Sequence, residues 1–161
     1  MARRLVHHMD FDTLVGINRG VVALTGEPHG FTPADGKKLN ELVEEVEQRA
    51  NNQDLEEAVP EKAALLVFKV ASGQYFRAGN KRTALVAGLV FLAKNGYEVD
   101  ITNHDFVSAV DRVGMAAASL DDLYELVSRL AAKSKSDRRG WEKVVEATVE
   151  SMKGFLTEQG A

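Results

Sequence analysis

Apolar residues recur at intervals of three and four along most of the chain, and no stretch alternates apolar and polar residues long enough to predict a strand. The first such segment predicts a helix that begins after Asp10 or Asp12 and ends near Leu24. A second amphipathic helix is predicted over residues 35–50. The expected inward positions are Leu14, Ile17, Val21 and Leu24 in the first helix and Leu39, Leu42, Val43 and Val46 in the second. This periodicity indicates an all-α fold.

Two apolar helices are predicted in the middle of the chain. One opens near Pro60, a residue that suits a first helical position, and runs to about Ser72. It is apolar nearly all round and is expected to be buried. The next begins at Asn80 or Lys81 and ends at Gly96, a C-terminal signal. The predicted architecture is a helical bundle around a central apolar helix.

The remainder of the chain predicts shorter helices and one appendage. One helix ends near Gly114, and Ser119 caps another. The polar run from Lys133 to Gly140 is the best linker candidate, and it precedes a last helix over residues 141–156. The predicted division is a domain of residues 1–133 followed by a linker and C-terminal helix, residues 134–161.

Composition narrows the function only by exclusion. The chain of 161 residues has no cysteine, which excludes a disulfide scaffold, thiol catalysis, a zinc–thiolate site and an iron–sulfur cluster. A net charge of −4 argues against a general nucleic-acid binder. The longest apolar run, Thr83 to Ala93, is shorter than the roughly 20 residues of a membrane span. No signal peptide is predicted at the start, so we expect a cytoplasmic protein without a membrane partner.

The segment from Gln74 to Leu85 is the part of the chain whose residues could form a ligand-binding site. A glycine-containing loop leads into a helix start, where backbone N–H groups lack partners and the helix dipole adds partial positive charge. Asn80 can donate from its side chain, and Lys81 and Arg82 add two full positive charges. This arrangement predicts a site for phosphate. The alternative interpretation is an ordinary helix start whose basic side chains face solvent, because the same residues at the same spacing also fit that structure.

The same segment resembles the signature of the Fic/Doc family, which reads His-x-Phe-x-Asp/Glu-Ala/Gly-Asn-Gly/Lys-Arg. Phe76, Gly79, Asn80, Lys81 and Arg82 match it. The lysine and the continuation Thr-Ala-Leu are similar to the Doc (death-on-curing) branch. The turn-rich run from 25 to 33 stands where the family has its flap, which implies a small hairpin. The resemblance covers residues 5–133.

The resemblance implies a nucleotide-dependent transferase. Fic proteins usually move AMP from ATP to a protein hydroxyl, whereas Doc toxins resemble kinases, phosphorylate a translation elongation factor and are paired with an antitoxin protein. The implied cofactor is therefore ATP or another nucleotide, and the implied partners are an antitoxin and a protein target. The implied catalytic positions are Gln74, Lys81 and Arg82, and the implied phosphate-binding positions are Phe76, Gly79, Asn80, Lys81 and Arg82.

Two positions depart from the signature, and both are the chemically active ones. Gln74 stands where the family has the histidine that serves as general base, and an amide cannot accept a proton near neutral pH. Ala78 stands where the family has the carboxylate that holds Mg²⁺. We therefore expect no metal ligand in this loop, disfavour Mg²⁺ as a cofactor, and predict an impaired transfer site that keeps its phosphate loop.

Two other interpretations remain open from the sequence. In the first, the protein is an active protein-hydroxyl transferase with another base, either His29 or Glu27 from the flap. In the second, it is a non-enzymatic interaction module that uses the last helix or the acidic side of the second helix. The acidic residues concerned are Glu41, Glu44, Glu45 and Glu47. A homo-oligomer formed through the last helix is a further alternative.

Overall fold

The computed structural model describes residues 6–97, 104–114 and 118–133. These residues form helices joined by short loops, and none of them is in a strand, so the all-α prediction is confirmed. No helix in this described part is both long and apolar enough to cross a lipid bilayer. The helices are α1 (Phe11–Thr25), α2 (Pro33–Gln48), α3 (Leu55–Gly73), α4 (Asn80–Lys94), α5 (His104–Gly114) and α6 (Leu120–Lys133).

Side-chain caps begin three of these helices, two of them, α1 and α6, where the sequence predicts them, and α2 two residues before its predicted start. Asp10 accepts a hydrogen bond from the Thr13 amide at 2.7 Å and so fixes the start of α1. Thr32 caps α2 immediately before Pro33, whose missing N–H costs nothing at that position. Ser119 and Asp122 exchange hydrogen bonds at the start of α6, as in a capping box.

The core is built on the packing of α3 against α4. Helix α3 also contacts α2, α5 and α6, while α1 lies against α4. Gly88 permits the close approach, because a β-carbon at this position would overlap the side chain of Val67. Phe91 and Phe106 are fully buried beside this contact. The start of α4 is therefore held by a rigid, apolar helix pair.

A buried lysine joins α3 to the end of α2. Lys62 is 1% exposed, and its Nζ donates to the carbonyl oxygens of Val46 and Glu47 and to Oδ1 of Asn51. Burial lowers the pKa of Lys62, and the nearby Glu47 and Glu61 carboxylates oppose that shift. The ammonium group therefore supplies donors to carbonyls that the last turn of α2 leaves without partners.

Two expectations about the helices are wrong in detail. Helix α3 begins at Leu55 and contains Pro60 in its interior, where proline removes only one backbone donor. In α1, Leu24 is exposed and Asn18 is buried. The helix presents Asn18 inward because its amide has partners in the loop before α4, which the apolar pattern does not reveal.

The hairpin expected at the flap is not formed. Residues 26–32 follow an irregular path without strand pairing, and their one backbone hydrogen bond to the loop before α4 joins the Arg77 N–H to the Gly30 carbonyl at 2.9 Å. Pro28 lacks an N–H, and Gly30 has a φ of 121°, so neither residue continues a ladder. The predicted linker and C-terminal helix, residues 134–161, lie outside the described residues.

Candidate functional site

The loop between α3 and α4 is bounded by two residues with left-handed backbone conformation. Gln74, which ends α3, has φ 53° and ψ 42°, and Gly79, which precedes α4, has φ 74°. Glycine adopts such a φ without strain, whereas glutamine does so at a cost. A β-carbon on Gly79 would also lie 3.0 Å from Cγ1 of Val22. The chain therefore needs a small, permissive residue at the point where α4 begins.

Asn80 closes this loop on itself. Its Oδ1 accepts from the Phe76 N–H at 3.0 Å, and its Nδ2 donates to the Phe76 carbonyl at 2.9 Å. The Phe76 ring is buried and packs edge-on against Phe31, with the ring centroids 6.2 Å apart. Both residues thus shape the loop from within. Donation from Asn80 to phosphate stays a prediction, since one carboxamide hydrogen is already engaged.

A buried asparagine on α1 holds the loop from outside. Asn18 is 1% exposed, and its Nδ2 lies 2.9 Å from the Ala78 carbonyl oxygen and 3.1 Å from Oγ1 of Thr83. The carbonyl of Ala78 is therefore turned toward α1. The carbonyl thus does not point toward the start of α4. The first backbone N–H groups of a helix have no acceptor within it, so this end of α4 offers hydrogen-bond donors.

A cavity of about 850 Å³ opens at this end of α4. The loop and the first turn of α4 form one side of it, and Leu85, Val107 and Val110 give it an apolar wall. Of the predicted site residues, Gln74, Gly79, Asn80, Lys81 and Arg82 line this cavity, while Phe76 does not. The structure therefore brings the predicted phosphate-binding segment to one concave site, with Phe76 as a support behind it.

Two of the basic side chains at this cavity, those of Lys81 and Arg82, each form an ion pair with a carboxylate. Nζ of Lys81 lies 3.0 Å from Oδ1 of Asp111 on α5, and Nη1 of Arg82 lies 2.7 Å from Oε1 of Glu27 in the flap. Both pairs are partly solvated, so each contributes little to stability. They nevertheless set the charge that an entering ligand encounters.

The two departures from the signature lie at this same cavity. Gln74 and Ala78 both line it, and neither side chain can carry a proton or a negative charge at neutral pH. Among the described residues, no three histidine or acidic side chains are grouped closely enough to hold a metal ion. The loop can therefore offer hydrogen-bond donors and positive charge to a phosphate, but no base and no carboxylate from the two signature positions.

The alternative bases differ in their placement. Glu27 lines the cavity, whereas His29 is exposed and does not. A hydrogen bond from the Thr25 hydroxyl at 2.6 Å, together with the contact from Arg82, holds the pKa of the Glu27 carboxyl below its ordinary value. Both contacts are made to Oε1, and a carboxylate with a lowered pKa is a weaker general base. The geometry thus favours neither residue as a replacement for histidine.

Three contributors to the site were missed from the sequence. Asn18 interrupts an otherwise apolar helix side, and this polar residue at an inward position was the available signal. Arg77 stands inside the signature at a position that the pattern leaves free. Asp111 carried no sequence signal, because its role depends only on how α5 packs beside α4.

Comparisons with known proteins identify the family of this chain. No curated protein matches the chain. The sequence model that describes the Fic/DOC family matches residues 8–92, more than half of the chain, and this range includes the loop before α4. An all-α fold is the fold of that family. The chain therefore belongs to the Fic/DOC family.

Proposed function

We propose that this protein binds a phosphate-bearing ligand, ATP or another nucleotide, in the cavity at the start of α4, and that its transfer chemistry is impaired. The observation that carries the proposal is that the first turn of α4 and the cationic residues Arg77, Lys81 and Arg82 line the same cavity as Gln74 and Ala78. Phosphate binding needs hydrogen-bond donors and positive charge, which a helix N-terminus and basic side chains supply. Proton removal needs a general base and Mg²⁺ binding needs a carboxylate, and neither Gln74 nor Ala78 supplies such a group.

The proposal extends to the biological class of the protein. The run from Asn80 to Leu85 is similar to the Doc branch of the family, which supports a role in a toxin–antitoxin pair. The partner would then be an antitoxin protein, and the original target a protein hydroxyl. Because the base and the metal ligand are both replaced, we favour a family member that still binds its ligand or partner but does not catalyse transfer efficiently.

Calorimetric titration with ATP, with and without Mg²⁺, tests the binding proposal. We expect weak binding that Mg²⁺ leaves nearly unchanged, because neither Gln74 nor Ala78 offers an oxygen ligand of the kind that Mg²⁺ prefers. The matched variant is Ala78→Asp, which supplies a carboxylate and should make ATP binding tighten when Mg²⁺ is added. Absence of heat up to millimolar ATP, or strong Mg²⁺ dependence in the wild type, would contradict the proposal.

A further inference from the structure

The cavity at the start of α4 carries one unbalanced positive charge. Three cationic and two anionic side chains line it. Asp111 neutralises Lys81, and Glu27 neutralises Arg82. Arg77 forms no ion pair and no side-chain hydrogen bond with any described residue. The charge that is available to an entering anion is therefore that of Arg77.

The backbone that carries Arg77 is fixed, although its side chain is exposed. Its N–H donates to the Gly30 carbonyl at 2.9 Å. The preceding residue, Phe76, is 4% exposed and is clamped by both ends of the Asn80 carboxamide. Since the Cα position is already set, binding through this guanidinium orders only the side chain, which lowers the entropy lost on binding.

We propose that Arg77 makes the strongest side-chain contact with the phosphate groups of the ligand, and that Lys81 and Arg82 are withheld from it by their carboxylate partners. This inference rests on the proposed function of the cavity. A guanidinium donates two parallel hydrogen bonds to a phosphate, which suits a nucleoside triphosphate or another polyphosphate anion. Lys81 and Arg82 must each give up an ion pair with a carboxylate in order to contact the phosphate. Each therefore adds only the difference in free energy between its phosphate contact and its ion pair.

Substitutions that remove Arg77 alone, or a paired cation together with its carboxylate, rank the three cations by their effect on ATP binding. In calorimetric titrations without Mg²⁺, Arg77→Gln should weaken binding by about tenfold or more, the size expected for charge-assisted hydrogen bonds. The charge-neutral double variants Lys81→Gln/Asp111→Asn and Glu27→Gln/Arg82→Gln should each weaken it by less than about threefold, because each removes a cation together with the carboxylate that pairs with it, and exposed pairs contribute little. Asp111→Asn, which frees Lys81, should tighten binding.

Controls separate a contact with the ligand from damage to the loop. Arg19→Gln on α1 removes an exposed arginine outside the cavity and should leave the Kd unchanged. Arg77→Gln should keep the wild-type Tm, because no described residue depends on its side chain, and Arg77→Lys should restore part of the affinity. The amide signals of Gly79 and Asn80 should shift on titration in the wild type.

The outcomes distinguish this inference from the proposal on which it rests. Wild-type binding with a selective loss in Arg77→Gln supports both. Wild-type binding that survives Arg77→Gln but is lost in Lys81→Gln/Asp111→Asn or Glu27→Gln/Arg82→Gln overturns the inference and leaves the proposed function standing. A wild type that binds no ATP overturns both.

Discussion

Replacing Asn80 by alanine removes the side chain that closes the loop before α4. The substitution deletes two buried hydrogen bonds, 3.0 and 2.9 Å long, and leaves the N–H and carbonyl of Phe76 without those partners. A hydrogen bond contributes about 0.5–1.5 kcal/mol net, and a buried polar group left unpaired costs about 1–3 kcal/mol. We therefore expect Asn80→Ala to lower the free energy of unfolding by about 2–4 kcal/mol.

Urea unfolding followed by circular dichroism measures this loss, and Asn52→Ala is the matched control. Asn52 is exposed in the turn between α2 and α3, so its replacement should change stability by less than about 0.5 kcal/mol. If Asn80→Ala costs no more than this control, the loop does not depend on its carboxamide and the reasoning about its shape is refuted.

Packing and titration provide three further tests. Gly88→Ala pushes a methyl group against Val67 and should cost about 1–3 kcal/mol of unfolding free energy. Gly20→Ala, which has open space, should instead gain about 0.5–1 kcal/mol; urea unfolding measures both. Lys62→Met removes donors from the last turn of α2 and should cost about 1–3 kcal/mol in the same assay. Burial, and then the Lys62 charge, lower the pKa of His8 from 6.5. The stability that this residue contributes is then complete above pH 6.5 and is lost as the pH falls through its lower folded pKa, so His8→Gln should flatten the acid decline of Tm.

The helix starts could be predicted because their signals are local. Asp10, Thr32 and Ser119 each cap a helix through atoms within three residues of themselves, so the sequence alone contains the interaction. The start of α4 at Asn80 or Lys81 was predicted for a similar reason, since a break containing two glycines precedes it, and the helix begins at Asn80. Pro60 shows the limit of prediction from local signals. The proline predicted a helix start near position 60, but α3 begins at Leu55 because its packing outweighs that signal.

The contents of the site were predictable only in part. The loop residues that line the cavity, Gln74 and Ala78 among them, were identified from the signature. The pairs of Lys81 with Asp111 and of Arg82 with Glu27 join residues 30 and 55 positions apart. The contact from Asn18 to Ala78 spans 60 positions. No periodic pattern encodes such contacts, because they depend on how the helices pack.

A histidine at position 74 and a carboxylate at position 78 should together give this protein transferase activity if its proposed impairment is due to Gln74 and Ala78. Wild-type protein and the double variant Gln74→His/Ala78→Asp are incubated with labelled ATP, Mg²⁺ and cell lysate, and label on protein is measured. We expect no transfer by the wild type and clear transfer by the double variant, because a general base contributes about 10²–10⁴-fold in rate. Transfer by the wild type that disappears in Glu27→Gln, or an inert double variant that still binds ATP, would contradict this expectation.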